Sequence, residues 1–189
     1  MKQKFLLIAL ALSFSASAQY RALKTDVGLG AAMTLGALKS YGISASAEPK
    51  FFFNKQFAIG ARLEGDVLFG GSISGSNVNI GMSSRTAALL KAEYYLTEAD
   101  NRLFFGLMGG RYAQANIGSS SSGDASITAG VYYGFAPEAG VTFKNFRLSA
   151  IYHIIPGSDL LTVSTGNTQT VSRNYLVIQM GFKGFLLEF

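Results

Sequence analysis

The chain has 189 residues, 22 glycines, three prolines, no cysteine, no tryptophan and a formal net charge of +5 at pH 7. That is one domain's worth of chain, and the missing cysteine excludes disulfides, thiolate zinc sites, thiol chemistry and a lipid-anchored N-terminus. The charge is mild and forms no basic run, which argues against nucleic acid as a partner.

The first residues have the layout of a secretory leader. Lys2 and Lys4 form the basic start, Phe5 to Leu12 a short apolar core, and Ala16-Ser17-Ala18 the cleavage site, with Gln19 as the expected mature N-terminus. The apolar run is too short for a membrane helix, which needs about 20 residues. The expected division is therefore a cleaved signal over 1–18 and a single domain over 19–189.

No apolar stretch after the leader is long enough to span a bilayer as a helix. Apolar residues instead fall on alternate positions, the period of a two-faced strand. Eight such segments are predicted. The first covers Lys24 to Leu35 and the second Ser40 to Phe53. The third, Phe57 to Phe69, is the sharpest: Arg62, Glu64 and Asp66 share one parity, and Phe57, Ile59, Leu63, Val67 and Phe69 share the other. The fourth covers Ser84 to Leu96. The fifth, Arg102 to Asn116, leaves its register open, because Leu103, Phe104 and Phe105 are consecutive and Arg111-Tyr112 fits neither parity. The sixth runs over Ile127 to Phe143, the seventh over Asn145 to Ile155 and the eighth over Arg173 to Leu186. Pro49 and Pro137 fall mid-strand, where each removes a ladder donor, so local bulges are expected there.

Tight turns at Asn54-Lys55, Thr97 to Asn101 and Lys144-Asn145 alternate with longer polar loops over 70–83, 118–126 and 156–172, with Ala37 to Lys39 short on the loop side. This is the layout of a transmembrane barrel with periplasmic turns and outer loops. The apolar parity could face a greasy lumen, as in a soluble ligand-binding barrel, or lipid. Lipid is favoured. The charged parity is also rich in glycine and mixed in sign, as a narrow self-neutralising lumen requires. Aromatics gather at strand ends (Tyr41, Phe51, Phe53, Phe57, Phe69, Tyr94, Tyr133, Phe135, Phe143, Phe146), where interfacial girdles sit. The expected fold is all-β, a closed antiparallel eight-stranded up-and-down transmembrane barrel in an outer membrane.

The Ala18-Gln19 junction, the eight alternating segments, the run from Phe135 to Val141 and the aromatic C-terminus together resemble the small outer-membrane β-barrel family, the OmpA/OmpX-like transmembrane domains. The resemblance implies insertion by the barrel-assembly machinery through a terminal strand carrying Phe185, Leu187 and Phe189. Phe189 shares parity with Lys183 rather than with Phe182, so a bulge near Gly184 is expected, or else an early end to the strand. No domain is expected beyond the last strand.

Nine charges, Glu48, Lys50, Arg62, Glu64, Lys91, Glu93, Glu138, Arg147 and Lys183, are expected in the periplasmic half of the lumen. An eight-stranded barrel holds little more than its own side chains, and buried charges must pair. The expected result is a salt-bridge plug, with a gated ion path as the alternative. His153, the lone histidine, faces inward without a nucleophile in reach: Ser149 is four residues along the strand and Glu138 lower on its neighbour. It is taken as an interior hydrogen-bonding group, and no catalytic residue is assigned. Asp66, Asp124 and Asp159 are read as scattered loop charges, not a calcium site. Gly70-Gly71 and Gly109-Gly110 precede no helix and are not phosphate loops. No cofactor or metal is expected. The expected function is a non-enzymatic barrel serving envelope integrity or surface interaction through loops 70–83, 118–126 and 156–172. A narrow channel and, behind it, a lipid-modifying enzyme are the alternatives.

Overall fold

The alternation of small or charged residues with apolar ones dictates strands with two unlike faces, and such strands are stable only once every edge is paired. In the computed structural model, which describes residues 22–35, 39–74, 77–119, 125–162 and 168–188, ten strands form. They are β1 (Ala22–Thr34), β2 (Ser40–Phe52), β3 (Phe57–Ser74), β4 (Asn77–Tyr95), β5 (Arg102–Ser119), β6 (Ala125–Phe143), β7 (Phe146–His153), β8 (Ser158–Thr162), β9 (Thr168–Ser172) and β10 (Tyr175–Glu188). Eight of them close into an antiparallel barrel in the order β1-β10-β7-β6-β5-β4-β3-β2, while β8 and β9 pair only with each other. The expected leader over 1–18, and Phe189, lie outside the described residues.

Closure joins β1 to β10, from Thr34 opposite Tyr175 to Ala22 opposite Glu188. The register shifts once: Lys24 faces Phe185 and Leu23 faces Leu187, so Leu186 is the extra residue. The expected bulge thus exists, but beyond Gly184.

Four expectations are corrected. The segment 70–83 is not a loop: β3 runs to Ser74 and β4 starts at Asn77, paired in unbroken register from Gly70–Gly81 to Ser74–Asn77. The segment 118–126 likewise holds strand pairing from Gly118–Ser126 to Ser119–Ala125, and 156–172 contains the β8–β9 hairpin. Beyond the membrane a strand needs backbone partners but no apolar face, so the ladder continues where the compositional signal stops. Pro49 and Pro137 produce no bulge. The β2–β3 ladder skips from Ala47–Leu63 to Lys50–Gly60 without changing register, and β5–β6 passes Pro137 unbroken. Each proline faces outward and forfeits pairing on one side only.

The register of β5 is settled by packing. Leu103, Phe105 and Leu107 face outward, and Phe104, Met108 and Tyr112 fill the interior. The outer face is a belt of exposed Leu29, Ile43, Leu63, Leu90, Leu107, Leu148 and Ile178. Aromatic residues border it. Tyr94, Phe105, Phe143, Phe146 and Phe182 lie toward the tight-turn end, and Tyr41, Phe69 and Tyr133 toward the other, the loop end.

The turns are made by local chemistry. Asn54 Oδ1 accepts from the amides of Gln56 at 2.8 Å and Phe57 at 2.7 Å, an Asx turn. In the two-residue turn after Phe143, Lys144 has φ 47°, the left-handed conformation that such hairpin turns require.

Candidate functional site

The chemistry-bearing residues meet in the lumen, which is layered along the barrel axis. At the turn end Phe52, Ala58, Tyr95 and Phe104 form an apolar plate. Tyr95 lies 5.6 Å from Phe52 and 5.5 Å from Phe104, centroid to centroid. Arg102 stacks over Tyr95 at 3.9 Å from outside.

Above the plate lies an ionic layer. Lys91 on β4 donates to Glu48 of β2 at 2.7 Å and is ion-paired with Glu93 of its own strand at 2.7 Å and Glu138 of β6 at 2.5 Å. Three carboxylates thus surround one ammonium. Lys50 reaches Asp26 at 2.8 Å and Glu93 at 2.9 Å. Arg147 on β7 donates to Glu93 at 2.5 Å and Glu138 at 2.8 Å, its guanidinium 3.8 Å from the Phe104 ring. Tyr95 adds a phenol bond to Glu93 at 2.8 Å. Arg62 carries the network upward, paired with Glu48, bonded to Glu64 at 2.6 Å through Nε and to the Gln179 carbonyl oxygen. Gln179 Nε2 donates to Ser46 at 2.7 Å. Gly28 makes room for it, since a Cβ there would sit 1.5 Å from that nitrogen.

Glu64 then joins the ionic layer to an aromatic one. It accepts from Tyr175 at 3.0 Å and lies 3.2 Å from His153 Nε2. The imidazole is stacked flat on Tyr175, centroids 4.1 Å apart, and its Nδ1 is 3.1 Å from the Tyr112 hydroxyl. Around and above these rings Leu68, Leu89, Met108, Ile151 and Val177 form an apolar cluster.

Eight of the nine expected lumen charges, Glu48, Lys50, Arg62, Glu64, Lys91, Glu93, Glu138 and Arg147, therefore sit in one connected network. Lys183 does not. It lies at the turn-end rim and donates to the Lys144 carbonyl at 3.0 Å. Sequence reasoning left out Asp26 and Gln179, although both lie on the inward parity of their strands. It also misplaced Asp66, which is buried in the lumen between Ser44 of β2 and Arg85 of β4 in register rather than in an outer loop. The acid nearest His153 is Glu64, from across the barrel. Glu138 is held by Lys91 and Arg147. Asp124 and the side chain of Asp159 lie outside the described residues, as do the side chains of Phe185 and Leu187.

A carboxylate, an imidazole and a phenol in a row have the parts of a proton relay. His153 and Glu64 have no exposed side-chain surface, so the row has no access for a substrate. It orients the groups that fill the lumen.

No protein-family pattern matches the chain, and no curated protein matches it in sequence. Solved structures do match in shape. The outer-membrane protein OprG from Pseudomonas aeruginosa aligns over 88% of this chain and 98% of its own, at 11% identity and TM-score 0.53. Ail, the attachment invasion locus protein of Yersinia pestis, solved with the heparin analogue sucrose octasulfate, aligns over 86% and 99%, at 14% identity and TM-score 0.50. At these identities the likeness is one of fold, and the chain has the fold of the small eight-stranded outer-membrane barrels.

Proposed function

We propose that the protein is an integral outer-membrane barrel without catalytic activity. Its lumen is sealed by its own side chains, and it serves envelope integrity or surface interaction. One observation carries the reading: the ion-paired side chains that cross the lumen, from Asp26 to His153, are 0–6% exposed. Water that cannot reach these charges has no continuous path past them. Planar-bilayer recordings of the purified protein are expected to show no stable conductance, and steady porin-sized steps overturn the reading.

The surface role rests on strand length. A barrel strand crosses a bilayer in about 9–11 residues, whereas β4 and β6 each have 19. Their turn ends lie beside the aromatic border at Tyr94 and Phe143, so the surplus rises from the loop end. The described stretches of the segments first expected to bind as loops, 70–83, 118–126 and 156–172, then consist largely of paired strands presented outside the cell, preorganised for a partner. Outer-membrane lipid would surround the belt. The barrel-assembly machinery would act on the last strand, which carries Phe185 and Leu187. Cells lacking the protein are expected to gain detergent sensitivity, which supplying the intact chain restores.

A further inference from the structure

Among the described side chains of the barrel strands, one charged group points outward: Arg111 of β5. It is exposed, and no described residue forms a hydrogen bond or ion pair with it. Its cross-strand neighbours are Ala88 on β4 and Tyr133 on β6. Tyr133, 74% exposed, stands on the same face.

The height of this pair follows from the register. Tyr133 is ten residues along β6 from Phe143, which borders the belt at the turn end. Ten residues at about 3.3 Å each, tilted by about 40°, climb about 25 Å, the height of the apolar band of such barrels. Arg111 and Tyr133 therefore sit at the opposite border. A cation is costly at the middle of the band and tolerated at its edge. The surface beside the guanidinium is low. Ala88 and Ala113 flank it, and at Gly109 a Cβ would meet nothing closer than the Gly134 carbonyl oxygen at 3.8 Å.

We propose that Arg111 and Tyr133 form a binding site for the phosphate of an outer-leaflet lipid headgroup, whose acyl chains lie over Gly109 and down the belt. A guanidinium is a planar fork that grips two phosphate oxygens at once. The phenol belongs at the level of headgroups. An anion there gives the one outward charge its counter-charge at the edge of hydrocarbon. The inference rests on the outer-membrane reading above, which places the loop end in the outer leaflet.

The test titrates the full mature chain, folded in detergent micelles, with bisphosphorylated lipid A and reads bound lipid by native mass spectrometry. The wild type is expected to bind lipid A at least ~10-fold more tightly than Arg111→Ala, with Arg111→Lys between them because an ammonium lacks the fork. Lys55→Ala, a turn-end surface control, is expected to match the wild type. Equal binding by Arg111→Ala and the wild type overturns the proposal. So does equal binding of lipid A stripped of its phosphates, and so does displacement of the lipid by millimolar inorganic phosphate, which marks a site for free anion. Heat-modifiable gel migration is read on each protein. Its absence in the wild type overturns the barrel reading itself, whereas a folded Arg111→Ala with undiminished lipid binding overturns this site alone.

Discussion

The two halves of the lumen are filled by opposite chemistry inside one cylinder. Toward the turns the space is taken by Glu48, Lys50, Lys91, Glu93, Glu138 and Arg147 in mutual contact. Toward the loops it is taken mainly by Leu68, Leu89, Met108, Ile151 and the rings of Tyr112 and Tyr175, with Asp66 and Arg85 buried beside them. Arg62 and Glu64 join the two. The contrast shows that the barrel diameter demands filling and leaves the chemistry of the filling open. It also predicts different modes of failure. An ionic layer fails when one member is removed, because its partners remain buried as uncompensated charge. An apolar layer fails in proportion to the cavity left behind.

The largest effect is expected for Glu93→Ala. Three bases, Lys50, Lys91 and Arg147, share that carboxylate, and breaking a buried pair costs about 3–5 kcal/mol. Urea unfolding in lipid vesicles measures it, and a loss below about 1 kcal/mol, the range of exposed pairs, would erase the contrast between the halves. Next comes Met108→Ala in the loop-end half, expected to cost about 2–4 kcal/mol as a cavity mutation. Refilling sharpens the comparison: Met108→Leu should recover most of the loss in the same assay, whereas Glu93→Leu should not. Smallest is Lys183→Ala. Its ammonium bonds a turn carbonyl at the rim instead of a buried carboxylate, so unfolding should shift by no more than about 0.5 kcal/mol. A shift as large as that of Glu93→Ala would return Lys183 to the ionic layer.

The ionic half was legible because charge on one parity of a strand that is apolar on the other has few explanations. Glu48 with Lys50, Arg62 with Glu64, and Lys91 with Glu93 each announce an interior that neutralises itself. The loop-end half was not legible. Leu89 and Leu90, or Leu68 and Phe69, place apolar groups on both faces, and alternation then carries no sign of which is inside. Arg111 obscured β5 for the mirrored reason, as a charge on the lipid face. The long hairpins were missed because Ser, Gly and Asn between 70 and 83 carry no apolar periodicity, while backbone pairing, which needs none, continues to Ser74 and Asn77.

By itself the sequence determined the eight barrel strands, the two faces of all but β5 and the need for closure, since alternation is a local property of successive residues and an unpaired edge cannot rest in lipid. Only the tertiary structure decided which charges meet. Glu93 of β4 and Arg147 of β7 are not neighbours around the wall, and Glu64 of β3 reaches His153 of β7 from the far side. No pattern along a strand encodes a contact across the lumen. Such contacts are set by the stagger and diameter that closing eight strands imposes.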